Sequence, residues 1–295
     1  MTLDKRTAAV GFIGLGIMGG PMAGHLLAGG WRLNVFNRSK AKADPLLANG
    51  ATWCGSVAEV ARASDVVITI IGYPKDVEAT YLGPQGLIAN GKPGAIFVDM
   101  TTSTPELAQR IAKEGAARGI AVLDAPVSGG EMGAKNGKLT IMCGGDGVAF
   151  ETVRPLLSLM GTNVVLQGGA GAGQHTKVVN QIVTSATILG IAEAMAYARA
   201  AGLDPTNVLA SISKGSAASF HLDNTAPKII AGDSRPGFQV HHLVKDLEIA
   251  VAQSQAAGLD LKALRVCLEQ WRALLARGGA TLGTQAVATL YTPGG

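Results

Sequence analysis

"GFIGLGIMGG", residues 11–20, decides how the rest of the chain is read. Its glycines stand as Gly14-x-Gly16-x-x-Gly19, but in a chain with 40 glycines the spacing alone says little. The flanks carry the meaning. "AAVGFI" (8–13) is an apolar run of strand length, and a helix-like stretch follows over about residues 17–27. Strand, glycine loop and helix in that order form the context a dinucleotide's phosphates require. Gly14 permits the tight turn, Gly16 lets the backbone approach a pyrophosphate, and Gly19 lets helix pack closely on strand. Leu15, Ile17 and Met18 complete the loop, and the N–H groups of the helix's first turn face the phosphates.

Outward from that loop the pattern repeats. "RLNVF" (32–36), "DVVITII" (65–71), "AIFVDM" (95–100) and "IAVLDA" (120–125) are nearly continuous apolar runs, separated by helix-like stretches. Runs of this kind suit parallel strands covered on both faces. "KLTIMCGG" and "NVVLQGG" add two more strands. After "GGAGAG" (168–173) the pattern is helical throughout. The expected architecture is α/β: a Rossmann-like doubly wound domain over residues 1–167, then an all-helical domain over 168–295, joined by a long helix beginning near Gly173.

The end of the second strand speaks to the cofactor. An acidic residue there would take the ribose hydroxyls of NAD, but this chain reads "VFNRSK". Asn37 removes a charge that would repel a 2′-phosphate, Arg38 offers a planar fork for it, and Ser39 a hydroxyl. NADP(H) is favoured over NAD(H), with NAD(H) still open.

Composition excludes other classes. Hydrophobic residues make up 47% and charged residues 16%, which suits a globular protein and not a disordered one. The formal net charge is +4, the basic residues are scattered and only 4% are aromatic, so no nucleic-acid platform is expected. Three scattered cysteines form no CxxC pair and read as reduced and intracellular, without a structural metal. The five histidines include the pair His241–His242 and the isolated His175, none at metal-ligand spacing. Lys5 and Arg6 precede an apolar run that glycines interrupt, which is a poor signal peptide. Residues 178–200 have membrane-like length, but Asn180, Gln181, Ser185 and Glu193 would each be costly in lipid. A buried helix in a cytoplasmic protein is the expectation.

Taken together, "GFIGLGIMGGPMAGHL", "DAPVSGGEMGAKNG", "GAGQHTKVVNQ" and "KDLEIA", in that order, make the chain resemble the β-hydroxyacid dehydrogenase family. That family includes the 3-hydroxyisobutyrate dehydrogenases and the tartronate semialdehyde (2-hydroxy-3-oxopropionate) reductases. The resemblance spans nearly the whole chain. It implies reversible oxidation of a small anionic 3-hydroxy acid to its semialdehyde or oxo acid, by a homodimer or homotetramer. It assigns Lys177 as catalytic acid/base, with Asn180 orienting the substrate, and gives the substrate carboxylate to Ser128, Gly129 and Gly130. Thr101 falls at a position contacting the nicotinamide half of the cofactor, and Lys245 at a cofactor-side position, with Asp246 a simple ion-pair partner. Ile71 lies in "IIGYP", where many members carry a Leu-Pro pair.

Physical argument agrees on Lys177. Hydride transfer between C–OH and C=O needs a group that moves the hydroxyl proton. A lysine enclosed between domains near a helix N-terminus loses its proton more readily, and Asn180 and Gln181 share its helix face. His175, two residues before Lys177, is a candidate lining residue or a structural one. The rival readings are a reductase of glyoxylate, succinic semialdehyde or imines, and a non-catalytic NADP-binding module. The decarboxylating phosphogluconate enzyme shares the first domain on a longer chain. "ASFHLD" (218–223) matches no subgroup, and "LGTQAVATLYTPGG" (282–295) lacks an acidic residue common after the family's Gly-Thr, so the substrate stays open.

Overall fold

The computed structural model describes residues 3–291, which divide into two compact units, the first ending at Lys177 and the second beginning at Val178. Nine strands build the first unit: β1 (Ala9–Ile13), β2 (Arg32–Phe36), β3 (Thr52–Trp53), β4 (Val66–Thr69), β5 (Ile96–Asp99), β6 (Ala121–Asp124), β7 (Val127–Ser128), β8 (Leu139–Gly144) and β9 (Gly161–Gly168). They lie in one sheet in the order β3-β2-β1-β4-β5-β6-β8-β7, with β9 on β8. The pairs from β3 through to β6 are parallel, whereas β8 runs antiparallel to β6 and β7. This is a Rossmann-type sheet extended by a mixed edge. The chain reverses its direction of travel at β1, between β2 and β4, which is where such sheets bind ligands.

The apolar runs are continuous because both faces are covered. In β4, Val66 and Ile68 enter one core with Phe12, Met22 and Leu26, while Val67 enters the other with Tyr81, Phe97 and Ile111. On β2, nearer the edge, burial alternates instead, and Leu33 and Val35 point inward. The helix Pro105–Ala116 starts as its sequence predicts: Thr104 caps it by accepting from the Leu107 N–H, and Pro105 takes its first turn.

The second unit is helical. Its core gathers Ile188, Met195, Leu243, Leu247, Leu268 and Trp271, and the Trp271 indole donates to the Thr284 carbonyl at 3.1 Å. The long helix spans Ala172–Ala200 and is the helix among the described residues long and apolar enough to cross a membrane. Its buried face begins polar, with Gln174, Lys177, Gln181 and Ser185, and turns apolar at Ile188, Ala192 and Met195.

The division between units falls ten residues later than the expected 167/168. The first turns of the long helix belong to the first unit, because Gln174 and Lys177 bond to Thr101, Ser103 and Val127 there. Strands β3 and β7, two residues each, were not expected; runs so short carry no period to read.

Candidate functional site

The glycine loop has the geometry its sequence requires. Gly14 sits at φ 98°, and a Cβ there would stand 2.0 Å from the Ile70 carbonyl oxygen. A Cβ on Gly19 would stand 1.8 Å from the Gly14 carbonyl oxygen, so helix Gly19–Ala28 packs directly on the turn. Gly16 differs: an added Cβ would meet nothing within 4 Å. No protein acceptor takes the N–H groups of Gly16, Ile17 or Met18 among the described residues, and Gly16 and Ile17 are exposed. Unfilled donors at a helix start with open space before them suit a phosphate. The residues present therefore fit a dinucleotide's pyrophosphate.

Asn37 does more than remove a charge. Its Oδ1 accepts from the Leu15 N–H at 2.9 Å and its Nδ2 donates to the Ser39 carbonyl at 2.9 Å, latching the end of β2 to the glycine loop. Arg38 and Ser39 are exposed beside it, and Lys40 stands over the Trp53 ring at 5.6 Å. Thr101 does not cap the following helix. It is buried, and its hydroxyl accepts from the Ile71 N–H at 2.9 Å, joining the loops after β4 and β5.

Lys177 is 6% exposed, and its Nζ donates to the Val127 carbonyl at 2.8 Å. That carbonyl immediately precedes the turn at Ser128, Gly129 and Gly130, where φ is +129° at Gly129 and +60° at Gly130. The first unit thus brings the lysine, the Ser128–Gly130 segment and the Thr101 loop to the carboxyl ends of neighbouring strands. His175, by contrast, faces solvent.

In the second unit, Asn180 donates to Gln181 Oε1 at 2.8 Å, and Gln181 Nε2 donates to Asp246 Oδ2 at 2.6 Å. Lys245 pairs with Asp246 Oδ1 at 2.9 Å. Asp246 is therefore more than an ion-pair partner, since it fixes the amide beside Asn180. His242 stacks near Phe238, and burial pushes its pKa down to about 4, helped by His241 and Lys245. Groups of three or more potential metal-binding side chains do not occur among the described residues.

Sequence reasoning passed over two buried carboxylates. Asp99 ends β5 and Asp124 ends β6, directly paired across the sheet. Burial raises the Asp99 pKa to about 6, against hydrogen bonds from Thr101 and Thr69. Burial also raises that of Asp124, against backbone N–H groups of Gly171, Gly173 and Gln174. The available signal was two apolar strands that both end on Asp at the sheet's ligand-binding edge.

Residues 9–169 match the NAD binding domain of 6-phosphogluconate dehydrogenase, and residues 171–291 the NAD-binding domain of NADP-dependent 3-hydroxyisobutyrate dehydrogenase. The chain belongs to the β-hydroxyacid dehydrogenase family. It is an NAD(P)-dependent dehydrogenase of hydroxyacids. It is 47% identical to the oxidoreductase YkwC of Bacillus subtilis over 287 residues, covering 97% of this chain and 99% of that one. It is 38% identical to the 2-hydroxy-3-oxopropionate reductase of Escherichia coli over 278 residues, 94% of this chain and 95% of that one. The 3-hydroxyisobutyrate dehydrogenase of Mycobacterium tuberculosis, solved with L-serine, superimposes with a TM-score of 0.87 at 29% identity, covering 96% of this chain and 98% of that one. Reductive aminases and imine reductases share the fold alone.

Two of the departures from the β-hydroxyacid dehydrogenase pattern fall in defined local structure. Pro74 of "IIGYP" opens the helix Pro74–Leu82. After the Gly-Thr pair, Gln285 donates to the Asp233 and Arg235 carbonyls at 2.8 and 2.9 Å, work an acidic side chain would not do. Residues 292–295 of that stretch lie outside the described residues.

Proposed function

We propose that this dehydrogenase interconverts a short 3-hydroxy acid and its semialdehyde or oxo acid, with NADP(H) as the preferred cofactor. The observation that carries the reading is the buried Lys177 amine, bonded to Val127 one residue before Ser128. Bound nicotinamide supplies or accepts the hydride. The chain's own part is proton handling and orientation. Lys177 Nζ gives or takes the hydroxyl proton, Asn180 orients the substrate, and Ser128 with the N–H groups of Gly129 and Gly130 holds the carboxylate.

On the cofactor side, the loop Gly14–Gly19 receives the pyrophosphate, and Arg38 and Ser39 the 2′-phosphate, with Asn37 holding their loop in place. Ile71, Thr101 and Lys245 complete the cofactor contacts. A lysine in this position weighs against imine reduction, and an intact lysine–asparagine pair weighs against a non-catalytic binding module; glyoxylate and succinic semialdehyde remain in the substrate panel. Three buried cysteines, none in a disulfide, support a cytoplasmic setting. The long helix exposes an apolar stripe through Val179, Val183, Ala186, Gly190 and Tyr197, which supports a homodimer or homotetramer closed on that face.

The test pairs NADPH and NADH with a panel of small aldehydo acids, and NADP+ and NAD+ with the matching hydroxy acids. Lys177→Met lowers kcat by about 10³-fold, the range for a lost general acid/base, while NADPH affinity measured by fluorescence stays within about twofold. Near-normal turnover in that variant refutes the assignment. Light scattering on the same preparation gives the mass, and a single-chain mass refutes the oligomer.

A further inference from the structure

The turn before the long helix is held by the protein's own buried groups. Asp124 is 4% exposed; its Oδ1 accepts from the Gly171 N–H at 2.8 Å and its Oδ2 from the Gln174 N–H at 2.8 Å. The approach is close enough that a Cβ on Gly173 would stand 2.4 Å from the Met142 carbonyl and 2.6 Å from that of Asp124. Gln174, 1% exposed, then reaches sideways: Oε1 accepts from the Ser103 N–H at 2.9 Å, and Nε2 donates to the Thr101 carbonyl at 2.8 Å. Lys177 follows one turn later. Three anchors therefore fix one helical turn: the end of β6, the loop after β5, and Val127 through the lysine itself.

We propose that Gln174 and Asp124 are positioning residues for Lys177, holding its helical turn in register with the Thr101–Ser103 loop and the Ser128–Gly130 segment. The inference rests on the functional reading above, which makes Lys177 the proton carrier. A helix moves as a rigid rod over one turn, so a shift at Gln174 is carried undiminished to Lys177. Misplacement by about 1 Å costs a catalytic group about 10²-fold in rate. A side chain present only for stability would instead lower the melting temperature and leave kcat alone.

The experiment compares the full-length protein with Gln174→Met, which keeps the length of the side chain and removes both sideways bonds. Mass spectrometry follows acetylation of Lys177 by a small N-hydroxysuccinimide ester without cofactor, with Lys262 as internal reference. Expected are labelling at least about tenfold faster, kcat about 10²-fold lower, and cofactor affinity and hydroxy-acid KM within about twofold. Unchanged labelling, or unchanged kcat, in the folded variant overturns the proposal. If Gln174→Met does not fold, hydrogen exchange on the unaltered protein decides. The amides of Gly171 and Gln174 exchange as slowly as those of β6 if the brace exists, and exchange at the rate of a frayed helix end overturns it. Should the unaltered protein turn over nothing in the panel, the functional reading falls, while labelling and exchange still decide whether Gln174 holds Lys177.

Discussion

Two glycine-rich turns in this molecule lead into helices, and they serve opposite ends. After β1, the turn around Gly16 leaves its N–H groups without protein acceptors among the described residues, with open space before them. Before the long helix, the turn around Gly171 and Gly173 gives its N–H groups to Asp124, and the space a side chain would need is full. Both exploit the orphan donors of a helix start. One stays open, as the proposed phosphate site requires, and the other is closed by a carboxylate the chain supplies. The first turn is built to bind, and the second to hold still.

The same substitution placed in each turn separates these roles. Gly173→Ala has the larger effect. Its Cβ collides with two carbonyl oxygens and the Asp124 carboxylate, so the helix start must lift and its charged caps weaken. Overpacking of this kind, with a weakened charge-assisted bond, destabilises by roughly 3–4 kcal/mol, readable as a shifted denaturation midpoint at unchanged m-value. Stability equal to that of the unaltered protein would mean the turn is looser than its packing.

Supplying an internal anion has a consequence with pH. Asp99 and Asp124 lie side by side, and burial has raised the Asp99 pKa from 3.8 to about 6. A raised carboxyl pKa means the folded state binds the proton more tightly than the unfolded chain does. The stabilisation is fully present below about pH 4 and is lost as the pH climbs through about 6, by roughly 3 kcal/mol at about 1.4 per pH unit. Asparagine at this position cannot titrate, and its Oδ1 still accepts from the Thr69 hydroxyl and the Thr101 N–H. Asp99→Asn therefore gains on the unaltered protein by that amount between pH 4 and 7 in urea titrations. Parallel curves would show that Asp99 ionises freely in the fold.

The contrast also explains what was legible in the sequence. The first turn is local: strand, three glycines and helix lie within twenty residues, and the strand–helix alternation that continues from it marks the α/β class. Strand β2 coincides with the expected run over 32–36. The helix after the loop starts at Gly19 and not near residue 17, because Gly16 to Met18 form the turn itself. The second turn reads only as a glycine-rich connection, since its partners are far away in the chain. Asp124 lies 47 residues before Gly171, and Thr101 lies 73 before Gln174. No spacing rule joins positions so distant; only the sheet register, which sets Asp99 beside Asp124, brings them together. The motif around Lys177 singles it out as a candidate from sequence alone, and nothing local does the same for its brace.

The smallest effect on the fold is expected at the first turn, and it is the most informative. Gly16→Ala puts a methyl group into empty space at an exposed position, where substitutions change stability by no more than about 0.5 kcal/mol. On the proposed function, the methyl group occupies the volume through which a pyrophosphate oxygen approaches the helix-start N–H groups. Each of those bonds is charge-assisted and fails steeply with distance. Cofactor affinity therefore falls by about 10- to 100-fold, or 1.4–2.8 kcal/mol, at an unchanged denaturation midpoint. Because the pyrophosphate is common to both cofactors, NADPH and NADH weaken by the same factor, whereas a change confined to one of them would place the disturbance at Arg38 and Ser39 instead. Titration of the folded variant with each reduced cofactor reads both numbers at once, and undiminished binding of both would mean that the open space before Gly16 is not where the phosphates lie.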